Sequence, residues 1–220
     1  MNEFGRKERG TTPWDERYAA AHYIYGTEVN EWVATVIDEN PQLTAARPDG
    51  SMPSALELAC GEGRNAVYLA ERGVAVTAVD LSNVGIEKTR RLADARSVNV
   101  AAICDDALTW RSKSRFDIVV ATWFHLPAEK KPDIFCAIRE ALKPGGTLIA
   151  EWFHPDQRRK GFTSGGPPTP EMMFTPTEIR EGLSGFTVDR LEHAERVIRE
   201  GPKHDGPASV VSLLARKQSE

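Results

Sequence analysis

The apolar run Ala55, Leu56, Glu57, Leu58, Ala59 gives way to Cys60, Gly61, Glu62, Gly63, Arg64 and Asn65. Glycines where a strand turns into a helix let a ligand come close to the backbone. The first amides of the helix attract anions, and the Gly61-x-Gly63-x-x-Ala66 spacing also satisfies a dinucleotide fingerprint. Glu57 and Glu62 speak against a dinucleotide, because their charge flanks the place its pyrophosphate would take. The same carboxylates favour a ligand that carries cationic groups and no phosphate. Plain solvated charge is the alternative reading for both.

More acids follow. Asp80, with Leu81 after it, closes the next apolar segment, where a carboxylate can accept both hydroxyl protons of a ribose. Asp105 and Asp106 close the one after that, followed by Ala107. Asp106 is the choice for contact with an adenine amino group and Asp105 its rival; a pair of solvated turn aspartates is the alternative. Upstream, Trp14 and Tyr18 are four residues apart, one above the other on a helix, with Arg17 beside them to meet a carboxylate. A second group of reactive types follows two further apolar segments. One ends in Thr122, Trp123, Phe124 and His125, the other in Glu151, Trp152, Phe153 and His154. His125 is the candidate general base, since imidazole titrates near neutrality; Glu151 and His154 are candidates by position. Their spacing matches no metal motif, so no metal is assigned.

These residues need a frame. Apolar residues at Val29, Trp32, Val33, Val36 and Ile37 predict a helix over residues 28–39, ended by Asn40 and Pro41. Strands are predicted at 55–59, 74–79, 98–103, 116–121 and 147–153, with helices at 64–72, after an N-cap at Ser82, and at 132–142. Lys143 to Gly146 reads as a sharp turn. Alternating strands and helices imply a parallel sheet. The end of the chain differs: a Pro/Gly-rich loop at 155–170, a short helix near 177–183, then strand-like segments at 186–198 and 208–215 that must pair as a hairpin. The fold expected is α/β, Rossmann-like, with a seven-stranded, mostly parallel sheet, helices on both faces and an antiparallel C-terminal hairpin. Residues 1–53 read as a helical extension or lid and 54–220 as the domain proper. Segment 156–174 is expected to border a second binding pocket and to order on ligand binding, because long loops are usually functional or disordered.

Cys60 to Asn65, Arg72 and Gly73 with Val76 to Ser82, and the Leu142-Lys-Pro-Gly-Gly146 turn together resemble class I S-adenosylmethionine-dependent methyltransferases, most of all the tellurite-resistance type. The resemblance covers about residues 54–153 well. It implies S-adenosylmethionine as cofactor, S-adenosylhomocysteine as product, and cofactor roles for Gly61 and Gly63, Asp80 and Asp106. Glu57, Ala59, Asn65, Leu81, Thr122 and Ala107 complete the expected contact set, with Trp14, Arg17 and Tyr18 as cover. Ala59 stands where many members carry a first glycine, which makes the turn less open.

The chain has 220 residues and a formal charge of −4. That argues against nucleic acid, which needs a basic face. Three cysteines without a CxxC pair, a charged N-terminus and no long apolar run point to a cytoplasmic protein with no membrane span. The expected partner is a small-molecule methyl acceptor; oligomeric state is unreadable. An NAD(P)-dependent oxidoreductase and a non-catalytic S-adenosylmethionine-binding module remain as rival readings.

Overall fold

A computed structural model describes residues 11–219. The sheet has seven strands: β1 (Ser54–Leu58), β2 (Ala75–Asp80), β3 (Val100–Cys104), β4 (Phe116–Thr122), β5 (Leu142–Phe153), β6 (Phe186–Arg199) and β7 (Asp205–Lys217). Their spatial order is β3-β2-β1-β4-β5-β7-β6. The first five are parallel, and β7 runs antiparallel to both β5 and β6. The α/β class, the mostly parallel sheet and the C-terminal hairpin expected from the sequence are all present.

The period-two alternation of the central strands decides which helix packs where. Leu56, Leu58, Val119, Ala121, Leu148, Ala150 and Trp152 share one core with α5 (Lys131–Ala141) and α7 (Pro176–Gly182). Ala55, Ile118, Val120 and Ile149 face the other core, with α2 (Glu31–Glu39), α3 (Arg64–Glu71) and α4 (Asn83–Ala95). A one-residue slip would exchange the two sets and leave Glu57 and Glu151 in the first core. The α2 stripe buries Trp32, Val33, Val36 and Ile37 as its spacing requires.

Local chemistry fixes the ends. The α2 helix begins at Glu31 rather than 28, because Asn30 caps it by accepting from Val33 N–H. Ser82 caps α4 through Gly85 N–H, as expected. Lys143 to Gly146 is not a free turn: β5 starts at Leu142 beside Phe116, and the ladder resumes at Thr147 beside Ile118, so these residues form an irregular loop-out within β5. Segment 155–170 contains α6 (Asp156–Arg159) and is tied to itself. The Arg158 guanidinium donates to the carbonyls of Phe162, Gly166 and Pro167, and Gln157 Nε2 donates to Ser164 Oγ and Gly165 O. These bonds tie the segment to itself.

Before the sheet, α1 (Pro13–Tyr18) carries a capping box between Thr12 and Asp15. Asp15 also accepts from Ser82 Oγ and Val84 N–H, which fastens α1 to the start of α4. Glu62 then straps residues 24–25 over the glycine loop by accepting from Ile24 N–H, Tyr25 N–H and Lys88 Nζ. Residues 1–10 of the expected N-terminal extension lie outside the described residues. No described helix is long and apolar enough to cross a membrane.

Gly63, at φ +88°, is required twice over: a Cβ there would stand 2.4 Å from Thr89 Cγ2. Gly63→Ala should cost about 3 kcal/mol, combining left-handed strain of roughly 1–2 with overpacking of roughly 1–3. Adding Thr89→Ala should recover only a share of the packing part, because Thr89 Cβ, which alanine keeps, would still stand 2.7 Å from the new Cβ. Denaturant unfolding of the two variants measures both; equal stability of Gly63→Ala and the parent would remove the steric account.

Candidate active site

At the switch between β1 and β4 the carboxyl ends of the strands open into a cavity of about 300 Å³. That is a size suited to small molecules. Every parallel strand contributes the residues just past its end. Ala59, Cys60 and Gly61 follow β1, Leu81 follows β2, Asp106 and Ala107 follow β3, Trp123 to Leu126 follow β4, and Phe153 ends β5. Such a crevice is where open α/β sheets bind ligands.

One half of the cavity is polar. Asp80 holds its carboxylate between two backbone donors, Gly61 N–H on Oδ2 and Ser82 N–H on Oδ1, each at 2.8 Å. Each oxygen keeps a further lone pair. Burial pushes the carboxyl up to about 6, against those hydrogen bonds. Below the loop, Glu57 accepts from Asn65 Nδ2 and Ala66 N–H, and burial pushes it up to about 7. Asn65 also donates to Thr122 Oγ1 and accepts from Asn30 N–H, so it braces three elements at once. Trp14 stacks on Tyr18 at 5.7 Å between ring centroids, with the Arg17 guanidinium 5.5 Å from the Trp14 ring. Tyr18 is buried with its hydroxyl above Gly61, where a Cβ would meet it at 2.8 Å.

The other half is aromatic. Trp123 and Phe153 lie 4.3 Å apart, and His204 packs against Tyr25, Trp123 and Phe153 at 4.4, 5.0 and 5.4 Å. Gly166, Pro167, Pro168 and Met172 close this end, so segment 156–174 does border the cavity. Trp123 stands at φ +57°, a left-handed conformation that is an outlier for a bulky side chain. It is held there by its N–H on Glu151 O and its Nε1–H on Glu200 Oε2.

Of the expected cofactor contacts, Trp14, Arg17, Tyr18, Glu57, Ala59, Gly61, Asn65, Asp80, Leu81, Asp106, Ala107 and Thr122 are brought to this one cavity. Gly63 and Asp105 are not. Gly63 serves α3 packing, and Asp105 Oδ1 accepts from Asp106 N–H. The expected catalytic residues fare differently. His125 lines the cavity, but both its nitrogens are engaged: Nδ1–H faces Met172 O at 3.0 Å and Nε2 accepts from Phe153 N–H at 3.1 Å. Burial pushes it down to about 3, and it has no lone pair left for a base. Glu151 is fully buried beneath the cavity, satisfied by Asn30, Ser212 and Arg196, with burial raising its pKa. His154 lies off the cavity, stacked on His193 at 3.7 Å. With Asp156 these two histidines bring ligand-type atoms within 4.8 Å of one another. Stacked rings point their lone pairs side by side rather than at one ion, and His193 Nε2 is already bonded to Ser209 Oγ.

Sequence reasoning missed Tyr25, Trp123 and Phe153 as cavity walls, and His204 altogether. A signal existed for His204. A strand antiparallel to β5 must start at the carboxyl edge of the sheet, so the turn between β6 and β7 has to land over the cavity.

Residues 55–146 match a family described as a methyltransferase domain. A probable thiol methyltransferase of Arabidopsis thaliana is 27% identical over 169 residues, covering 73% of this chain and 63% of its own length. This chain spans only 40–54% of the length of two further curated relatives. Among solved structures, TehB from Haemophilus influenzae superposes with a TM-score of 0.67 at 18% identity, over 93% of this chain and 66% of that one. The N-methyltransferase NodS from Bradyrhizobium japonicum, in complex with S-adenosyl-L-homocysteine, gives 0.63 at 15% identity over 93% and 96%. The methyltransferase-domain match agrees with the resemblance read from residues 54–153, and the structural likenesses agree with the expected α/β fold.

The raised carboxyl of Glu57 has a thermodynamic consequence. A group protonated more readily in the folded chain gives stability that is whole below the unfolded pKa and is lost as pH rises through the folded one. For Glu57 that window runs from its ordinary value of 4.5 to about 7. Glu57→Gln should therefore remove a decline in stability, on the order of 3 kcal/mol, between the two pH values. The difference between parent and variant unfolding curves across that range reads it, and a constant difference would refute it.

Proposed function

We propose that this chain transfers a methyl group from S-adenosylmethionine to a small organic acceptor. The observation that carries the reading is the division of one cavity into an acid-lined half and an aromatic half, meeting at the ends of β1 and β4. The acid-lined half suits the cofactor. The two cations next to the glycine loop are committed, Lys88 to Glu62 and Arg64 to Glu200, and Arg17 in the same lining is left to meet a carboxylate. The Gly61 cradle lies against Tyr18 with no room for a Cβ, which leaves the backbone itself as the contact surface. Asp80 would hold the ribose, Asp106 and Ala107 the adenine, and Ala59 and Gly61 the amino-acid end, with Trp14, Arg17 and Tyr18 as a lid formed by the N-terminal extension.

When bound, S-adenosylmethionine supplies a methyl group on a sulfonium sulfur, open to in-line displacement by an aligned nucleophile. The protein's share is then positioning and exclusion of water, which can account for much of the rate. Trp123, Phe153 and Met172 orient an apolar acceptor, and the 156–174 segment walls it off from solvent. The acceptor class and the in-line geometry are part of the same proposal.

Calorimetry should show binding of S-adenosylmethionine and S-adenosylhomocysteine and none of NAD(H). NAD(H) binding with no S-adenosyl ligand overturns the assignment. Asp80→Ala should weaken S-adenosylhomocysteine by ten- to a hundredfold, since hydrogen bonds to a charged group are worth roughly 1.5–3 kcal/mol. Unchanged affinity in the folded variant would take Asp80 out of the site. Shortening residues 161–168 should leave that affinity intact and depress methyl transfer; an equal loss of both would mean that the segment supports the fold rather than the acceptor.

A further inference from the structure

His204 sits in the turn between β6 and β7, held by its N–H on Gly201 O and its carbonyl under Glu200 N–H. Its side chain is buried in the aromatic half of the cavity. Among the described residues, its Nδ1 is the one buried side-chain nitrogen or oxygen with no hydrogen-bond partner. It lies 3.9 Å from Glu200 Oε2, too far for a hydrogen bond but close enough to feel the charge. The opposite ring edge rests on Gly165, where a Cβ would come within 2.4 Å of Cδ2 and 2.8 Å of Nε2. Only glycine leaves that edge room, and its neighbour Gly166 lines the cavity. His204 lines the cavity, and of its two nitrogens only Nδ1 is fully buried without a partner, which leaves Nε2 as the nitrogen open to take a proton.

Building on the methyltransferase reading, we propose that His204 is the proton acceptor for the methyl acceptor, and that this acceptor is a small, flat, uncharged molecule with a dissociable O–H, S–H or N–H. The acceptor's X–H bond breaks with its electron pair left on X. The proton binds the ring lone pair at Nε2, and the imidazolium so formed directs Nδ1–H at Glu200. The proton passes to solvent after turnover. Flatness and neutrality follow from the walls: Trp123, Phe153, Phe124 and Met172 offer faces and no charge.

The charged and titratable groups around the ring fit this role. Burial, first, lowers the His204 pKa, with Arg64 and Arg17 acting in the same direction and Glu200 against them. The ring is therefore neutral and ready to accept near neutral pH. Burial works against the charge on Glu200, yet Arg64 and Arg196 with their hydrogen bonds hold it well below the usual carboxylate range. It stays a counter-charge throughout. Tyr25, packed on the ring, has its own pKa raised by burial and remains a neutral phenol. His125, across the cavity, is neutral and fully bonded, and does not compete.

The probe is 4-nitrophenol, whose phenolate is coloured, mixed with the protein in buffer well below the titration of the free phenol. The parent should bind it and hold a larger ionised share, read from the phenolate band, than the free phenol has at that pH, because the phenolate and Glu200 together stabilise the imidazolium that His204 forms. His204→Asn and His204→Gln should lose at least about tenfold of that band, equivalent to one unit of pKa, with unchanged S-adenosylhomocysteine affinity and a retained unfolding transition. Two variants guard against one failing to fold. An equal band in the variants, nitrophenol bound without ionising, or no binding to the parent each overturns the proposal. Calorimetry with S-adenosylhomocysteine is read separately: no binding there overturns the methyltransferase reading, whereas the nitrophenol result decides the role of His204 either way.

Discussion

A single buried carboxylate joins the parts of this molecule that the sheet alone would leave apart. Glu200, at the tip of the β6–β7 hairpin, accepts from Arg64 Nη2 at 2.6 Å, from Asn30 Nδ2 at 3.0 Å and from Trp123 Nε1 at 3.1 Å, with Arg196 at 3.4 Å. Those donors belong to the glycine-loop helix, the α2 cap, the end of β4 and the hairpin itself. A buried ion pair is weak evidence for net stability, because desolvation offsets the attraction. Its consequence here is geometric. Removing the carboxylate would strand the Arg64 charge at 7% side-chain exposure and free the Trp123 indole, so the hairpin tip has one place to dock.

The strand ends show the same preference for fixed geometry over ease. Ala59 at φ +55° and Trp123 at φ +57° both take left-handed conformations that glycine would adopt without strain. Such positions cost of order 1–3 kcal/mol each and persist only where their surroundings over-determine them. At Trp123 those surroundings are visible: backbone and indole N–H are each bonded to a buried glutamate residue. At Ala59, Cys60 N–H bonded to Val79 O fixes the residue that follows. The alanine that breaks the usual glycine pattern is accommodated by strain rather than by a different turn.

The sequence disclosed what depends on period and on local turn chemistry. The β1–Gly61–α3 unit, the Ser82 cap, the two-faced burial of the central strands and the antiparallel end all follow from patterns within a few residues. So does the place of Asp80, at a strand end beside the glycine loop. What was illegible is what depends on which distant groups share a lone pair. His125 looks like a base until Met172 and Phe153 take both its nitrogens. Glu151 looks like a site residue until Asn30, Ser212 and Arg196 are found around it. Arg64 and Glu200 lie 136 residues apart and signal nothing to each other in one dimension. Alternation could place these side chains on a face, but not choose their partners.

The two halves of the cavity also share a wall, and that wall is the strap at residues 24–26. On one side, Glu62 in the glycine loop accepts from the Ile24 and Tyr25 amides. On the other, Ile24 O accepts from Lys203 N–H in the hairpin turn, and Gly201 packs so closely on Gly26 that a Cβ on Gly201 would stand 2.3 Å from Gly26 N. Tyr25 O accepts from Arg64, the cation that holds Glu200. A shift of this strap cannot be confined to the glycine loop or to the hairpin, because Ile24 bonds to both, its N–H to Glu62 and its carbonyl to Lys203 N–H. The N-terminal segment thus joins the acid-lined half to the aromatic half, and the transfer proposed between molecules bound in the two needs that spacing fixed in advance.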